Sequence, residues 1–542
     1  MSVTKRVVIT AGVFLPVAVA GAVFAGLWAA FAAAAAGALC FIITKVGLHR
    51  VFYDEKSKKQ RAVYACVMLG AVLFSVFVCA VSIENEWLHD YPLKGSVDDY
   101  GCYPQMFDAF KKGRLDIDTD YDLEKIAALD NPYDRQARKK ATGETTGPFW
   151  DRAFYNGRLY SYFGIAPVIF LYFPVYFLTG KVLSDALAAA LIASVAAVAL
   201  MNLLRQLCAR LEYRVPFLLM CAGAACIPFG ALLYSTVTCA NFYHIAVLAG
   251  VAAVSCAFSF LLGADKAVGA RRKFLFVCAG VAAAGTVASR PNLAVYFVAA
   301  LPLIAGILIT RPGGAKSTLL DAVSFGVPLF ALGALIMLYN AARFGSPFDF
   351  GNDYQLTLWD MSGVYASVSL TLPALFHYFL HPPAFSGAFP FLHPSGVKLT
   401  SYGVTRPVYV SGNVGALWFP CVLGLAFLPY ALKGSGKKAR ITAALSALAV
   451  LAVVLIDMNY AGVHLRYTAD IMFVLALGGV FGCVAAVGRM LSGGKRFADV
   501  YALALVLFAL TAAADIALCF DNERDMILKF HTEFYGFVRK LF

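Results

Sequence analysis

The chain has 542 residues, 61% of them hydrophobic and 14% charged, with a formal net charge of +13. Apolar runs of about 20 residues recur along it, which excludes a soluble core: each run satisfies its backbone inside a hydrocarbon layer of roughly 30 Å only as a helix. The Lys and Arg residues cluster in short segments between these runs, so the positive charge answers to anionic headgroups, and no nucleic-acid partner is expected.

Lys5 and Arg6 precede an apolar stretch that is too long for a cleaved signal peptide and reads as a helical hairpin, with spans at about 7–26 and 28–47. A third span is expected at about 62–83, and the basic loop HRVFYDEKSKKQR before it is held in the cytoplasm. Residues 1–61 are thus an N-terminal hairpin and cytoplasmic loop, and the N-terminus is inside. The chain then enters a polar region, 84–182, which must lie outside. Its segment YFGIAPVIFLYFPVYFLTG, about 162–180, carries Pro167 and Pro174 and many aromatic residues, which suits an interfacial or re-entrant helix that does not cross.

Further spans are expected near 183–204, 215–234, 241–262, 273–289, 292–310, 320–341, 413–432, 439–457, 467–488 and 498–519. The fold class is therefore an all-α polytopic membrane protein of about 13 transmembrane helices, with two large exported loops containing short interfacial helices. This parity places RQLCARLEYR, KAVGARRK, RPGGAK, KGSGKKAR and RMLSGGKR inside, as the charge rule requires. The chain divides into a core at 62–210, helices at 211–341, a second exported loop at 342–412, helices at 413–519 and an exported tail at 520–542. Of the 13 cysteines, Cys102 and Cys239 stand in polar exported segments and are the candidates for a disulfide; the others read as small buried apolar residues.

Near the start of the first exported loop stand Asp98 and Asp99. Paired carboxylates beside a membrane surface suit a general base, since desolvation lifts a carboxyl toward a useful range; a solvated loop turn is the alternative. The order Asp98-Asp99-Tyr100, then Met106 to Gly113, then AFYNGRLYSYFGIAP and an interfacial segment resembles the GT-C-type membrane glycosyltransferases. The similarity is to the branch containing protein O-mannosyltransferases and aminoarabinose transferases. It covers residues 62–210 in ordered detail. This chain departs from that branch in having Asp-Asp where Asp-Glu is usual, and in two extra N-terminal spans.

The resemblance implies an inverting transfer of a sugar from a polyprenyl-phosphate carrier to a cell-envelope glycan, lipid or protein, with Asp99, or Asp98 in its place, as base. The motif YAGVHLRYTAD resembles that family's Arg-Tyr element, which implies that Arg466 binds the donor phosphate; a guanidinium can hold two phosphate oxygens in fixed geometry, although an Arg at a span end can also snorkel to headgroups. Arg290, in an outer turn, is a second candidate for a phosphate or a structural carboxylate partner, and His464 could bond the same phosphate. Tyr155, Asn156, Tyr160, Tyr162 and His244 are candidates for acceptor or sugar binding. His377, His381 and His393 lack metal-ligand spacing with a carboxylate partner, so no metal is expected, and no cofactor beyond the lipid-linked donor. No nucleotide-binding or hydrolase motif is present. The expected location is a bacterial plasma membrane, with active site and C-terminus extracytoplasmic. A transporter or lipid-linked glycan flippase is the alternative class, and it would show mid-membrane charges and an internal repeat.

Overall fold

The computed structural model describes residues 45, 47–83, 88–90, 101–144, 147–309, 314–404, 406–434, 436–494, 497–521 and 525–542. The predicted spans at 7–26 and 28–47 fall almost wholly outside these residues, and Asp98 and Asp99 lie outside them as well. Among the described residues, eight helices are long and apolar enough to cross a membrane. They are α1 (Lys58–Ala80), α2 (Asp185–Cys208), α3 (Phe217–Thr238, with a break near Leu232), α4 (Phe242–Lys266), α6 (Gly314–Phe344), α7 (Lys437–Tyr460), α8 (Leu465–Ser492) and α9 (Ala498–Phe520). The chain is a multi-pass, mainly helical membrane protein.

Each of the eight coincides with a predicted span, but the other three predicted spans among these residues take different forms. Helix α5 (Gly269–Val287) carries Arg271, Arg272 and Lys273 inside its first turns, which shortens its apolar part. The span expected near 292–310 is a broken pair, Pro291–Ala299 and Leu301–Ile309, bent by 55°. Pro302 sits just after the bend, where it removes an N–H and crowds the preceding turn. The span expected near 413–432 is a 3-10 run, Pro420–Phe427, closed by Leu428–Ala431. An apolar window reports hydrophobicity and not helical continuity, so these three differ in form from the other eight.

Packing is densest around α2, α3, α4 and α8, each with at least seven-tenths of its apolar stretch buried. Half of the residues that α2 buries are alanines, including Ala189, Ala193, Ala196 and Ala197, which lets neighbouring backbones come close. Helix α6 is the opposite case, with 6% of its apolar stretch buried and Leu319, Val327, Phe330 and Leu338 facing outward, as a lipid-facing span requires.

Both large polar regions hold a short apolar helix. In the first, Val168–Thr179 spans twelve residues, or about 18 Å at 1.5 Å per residue, well short of a bilayer. In the second, Val368–Leu380 is of similar length. Cys102 and Cys239 are not disulfide-bonded, and Cys102 Sγ bonds to Ser161 Oγ at 3.1 Å, so the disulfide considered from sequence does not form.

Candidate active site

Four helices share one polarity. Helices α4, α5, α7 and α8 each have basic residues at one end, Lys266, Arg271 to Lys273, Lys437 to Arg440 and Arg489, while their other ends converge. At that second end lies a cavity of about 660 Å³, walled by the loop at 150–151, the segment Tyr162–Gly164, Tyr243, the turn Arg290–Asn292, Asp457, the stretch Asn459–Gly462, and Arg466. Such a volume suits a small organic ligand group.

Each wall is fixed locally. A Cβ on Gly164 would collide with the carbonyl of Ala288, so only glycine lets the loop after Tyr162 press against the end of α5. Gly462 has φ +98°, and a Cβ there would strike the Tyr409 carbonyl; this residue turns the chain from α7 into α8. Asn241 caps α4, accepting from Tyr243 N at 2.9 Å and bonding His244 Nδ1 at 2.8 Å, which aims Tyr243 into the cavity. His464 caps α8 through its Nδ1, which accepts from Arg466 N at 3.0 Å, so that nitrogen carries no proton.

Arg466 is buried, and its guanidinium lies over Tyr243, Tyr467 and Tyr409, with centroid distances of 4.6, 4.9 and 5.5 Å. Its Nη2 donates to the Tyr467 hydroxyl at 3.1 Å. It lines both the main cavity and a smaller chamber of about 180 Å³, where His244, His464 and Ser235 also stand. A cation in an aromatic collar keeps its charge while being held in one orientation.

A carboxyl group that motif reading did not single out faces the same cavity. Asp151 is buried, has φ +53°, and exchanges backbone hydrogen bonds with the second polar region: Asp151 N to Leu356 O at 3.1 Å, and Leu356 N to Arg152 O at 2.9 Å. Burial pushes its carboxyl above the ordinary carboxylate range, while a bond from Thr357 and the charges of Arg152 and Arg466 act the other way. A left-handed backbone at a buried Asp is the type of strain that a structure retains only where its surroundings dictate it. Arg152 itself is tied to Gln105 by two bonds of 2.9 and 2.7 Å, which docks the short helix Cys102–Lys111 against this wall. Burial also raises Tyr162, so its hydroxyl stays neutral.

The sequence candidates therefore separate. Arg466, Arg290 and Tyr162 line the cavity; His464 and His244 line the smaller chamber beside it. Arg290 is engaged by Asp470, with Nε donating to its two oxygens at 2.9 and 2.7 Å, which makes the structural carboxylate partner the observed one. Tyr155, Asn156 and Tyr160 lie outside the cavity lining: Ala153–Tyr155 and Arg158–Tyr160 form a hairpin whose turn is Asn156-Gly157, with Tyr155 and Tyr160 packed on Phe344. Asn-Gly is the preferred pair for such a two-residue turn, and this signal was present in the sequence. Among the described residues, no group of three or more His, Cys, Asp or Glu is placed to hold a metal ion.

No protein-family model and no curated protein matches this chain. Among solved structures it is similar to ArnT from Cupriavidus metallidurans bound to undecaprenyl phosphate, with a TM-score of 0.40 and 12% sequence identity over 86% of this chain and 77% of that one.

Proposed function

We propose that this chain is an inverting glycosyltransferase that moves a sugar from a polyprenyl-phosphate carrier to a cell-envelope glycan, lipid or protein on the outer face of a bacterial plasma membrane. The observation that carries the reading is the cavity at the helix ends remote from the basic loops, where the collared Arg466 and the buried Asp151 face one space. The charge rule makes those remote ends the outer ones.

In the proposed reaction a carboxylate takes the proton of an acceptor hydroxyl. The acceptor oxygen bonds to the anomeric carbon from the face opposite the phosphate, and the carbon–oxygen bond to the phosphate breaks, its electron pair leaving on the lipid phosphate. Arg466 meets the charge that develops there. Asp99, or Asp98, is the base by motif, and Asp151 is the candidate that cavity geometry adds. The free energy resides in the phosphodiester, so the reaction as written draws on no cofactor.

The test is release of polyprenyl phosphate by the purified protein from a panel of polyprenyl-phosphate sugars, with envelope extract as acceptor. Wild type, Asp98→Asn, Asp99→Asn, Asp151→Asn and Arg466→Ala are compared. Turnover that is lost in one folded Asp variant and in Arg466→Ala supports the reading and names the base. Neither binding nor turnover of any carrier by wild type would end it and turn attention to transport.

A further inference from the structure

At the cavity wall, where α7 turns into α8, two carboxyl groups meet inside the protein. Asp457, in the last turn of α7, is 3% exposed, and Asp470, in the second turn of α8, is 0% exposed. Arg290 grips Asp470 from Nε at 2.9 and 2.7 Å and again from Nη2. Asn292 Nδ2 donates to Asp457 Oδ1 at 2.7 Å and reaches Asp470 Oδ2 at 3.5 Å. The two carboxyls stand within hydrogen-bond reach of each other, and among the described residues no donor reaches Asp457 Oδ2.

The charge count does not close if both are ionised. One guanidinium, already committed to Asp470, faces two carboxylates. The other groups turned toward them are neutral hydroxyls: Tyr296, which donates to the Asp470 carbonyl at 2.9 Å, Tyr378, which donates to the Gly462 carbonyl at 2.8 Å, and Tyr467. His377 adjoins Tyr378 but bonds to His381, and Arg466 lies beyond Tyr467 in its own collar. Two like charges in contact out of water are so costly that such pairs retain a proton.

We infer that Asp457 and Asp470 share one proton, which makes the Arg290 cluster electrically neutral beside the site where Arg466 would meet a phosphate. The shared proton also fastens the turn that carries Arg466. Ala461 N and Gly462 N both bond to the Asp457 carbonyl at 2.7 Å, and the Asp457 side chain ties that turn to Asn292, next to Arg290. Asp457 is on this view a positioning residue. Its effect on phosphate binding rests on the transferase reading, but the shared proton does not.

The experiment has two arms on the full-length protein in nanodiscs. Infrared spectra in H2O and D2O of wild type and Asp457→Asn are subtracted. A deuterium-sensitive band of a protonated carboxyl at neutral pH, lost in Asp457→Asn, is the expected result; its absence from the difference spectrum overturns the inference. In the second arm, binding of undecaprenyl phosphate is titrated against pH. Wild type weakens by about tenfold as the pair loses its proton, the size of one uncompensated charge acting across the cavity. Asp457→Asn, whose amide still donates to Asp470, shows no such alkaline fall. An alkaline fall that persists in Asp457→Asn overturns the link to binding. If the infrared band is present but the lipid binds at no pH, the transferase reading fails and the shared proton stands.

Discussion

Arg466 is held by three tyrosine faces and one hydroxyl, so its contribution should depend on planarity as well as charge. Arg466→Ala is expected to lower kcat by about 10²- to 10³-fold, the usual effect of removing one group that meets developing negative charge. Arg466→Lys should recover only part of this, because an ammonium cannot lie flat within the collar; full recovery would make the role that of a plain point charge. Asp151 predicts a pH signature. Its carboxyl lies above the ordinary value of 3.8, so if it is the base its active form disappears as pH falls through that raised value. The rate should fall on the acid side before an ordinary carboxylate would titrate, and Asp151→Asn should abolish the rate across the profile. An acid limb unchanged in Asp151→Asn would return the role to Asp99 or Asp98. Arg466 was legible from its motif and its place at the end of a span. Asp151 was not, because nothing local distinguishes it from other loop carboxylates: its burial comes from Leu356, two hundred residues away in sequence.

At the scale of elements, the hairpin at 153–160 separates a structural reading from a ligand-binding one. Asn156 has φ +49° and Gly157 φ +74° in its turn. Asn156→Ala should cost about 1 kcal/mol of stability through its left-handed backbone and leave undecaprenyl phosphate affinity unchanged. Loss of affinity at unchanged stability would restore Asn156 to a ligand groove. The helical turn at 376–380 carries a different signature. His377 Nδ1 and His381 Nδ1 are 3.0 Å apart, His377 is buried, and burial with its neighbour's charge pushes it down to about 4. A histidine lowered from 6.5 in the fold contributes stability that is complete above that value and is lost as pH falls toward about 4. His377→Asn should therefore flatten the acid limb of thermal stability between those values, and an unchanged limb would assign it elsewhere. The pair spacing was visible in sequence as two histidines four apart. The fact that both point inward was not, since it depends on the Asn413 side chain, which bonds to the His377 carbonyl at 2.8 Å.

On the scale of the whole molecule, the basic end of the bundle is pinned by one buried ion pair. Arg272 Nε meets Asp321 at 2.6 Å, and its other nitrogens donate to the Ala264 and Ile307 carbonyls at 2.8 and 2.9 Å, which joins α4, α5, the bent pair and α6. Removing one partner leaves a charge without its complement in an apolar setting. Asp321→Ala should lower stability by about 3 kcal/mol or more, whereas replacing both partners with apolar residues should cost less. Equal losses in the single and double variants would mean that the pair contributes through packing alone. Orientation gives a second test: with the cavity end outside, Ser362→Cys should react with an impermeant maleimide on intact cells and Lys437→Cys should not. The reverse pattern would invert the topology.

The sequence by itself determined that the chain is a helical membrane protein, where its long spans run, and which helix ends are basic. These properties depend on hydropathy summed over a span and on charge at its ends, and neither needs a partner from elsewhere in the chain. The tertiary structure alone decided which apolar runs break or tighten, that Arg290 belongs to Asp470, that the Asn156 hairpin does not line the cavity, and that Asp151 does. Each of these turns on a contact between residues far apart in sequence, where burial and the nearest opposite charge set the chemistry of a side chain that looks the same in any local window.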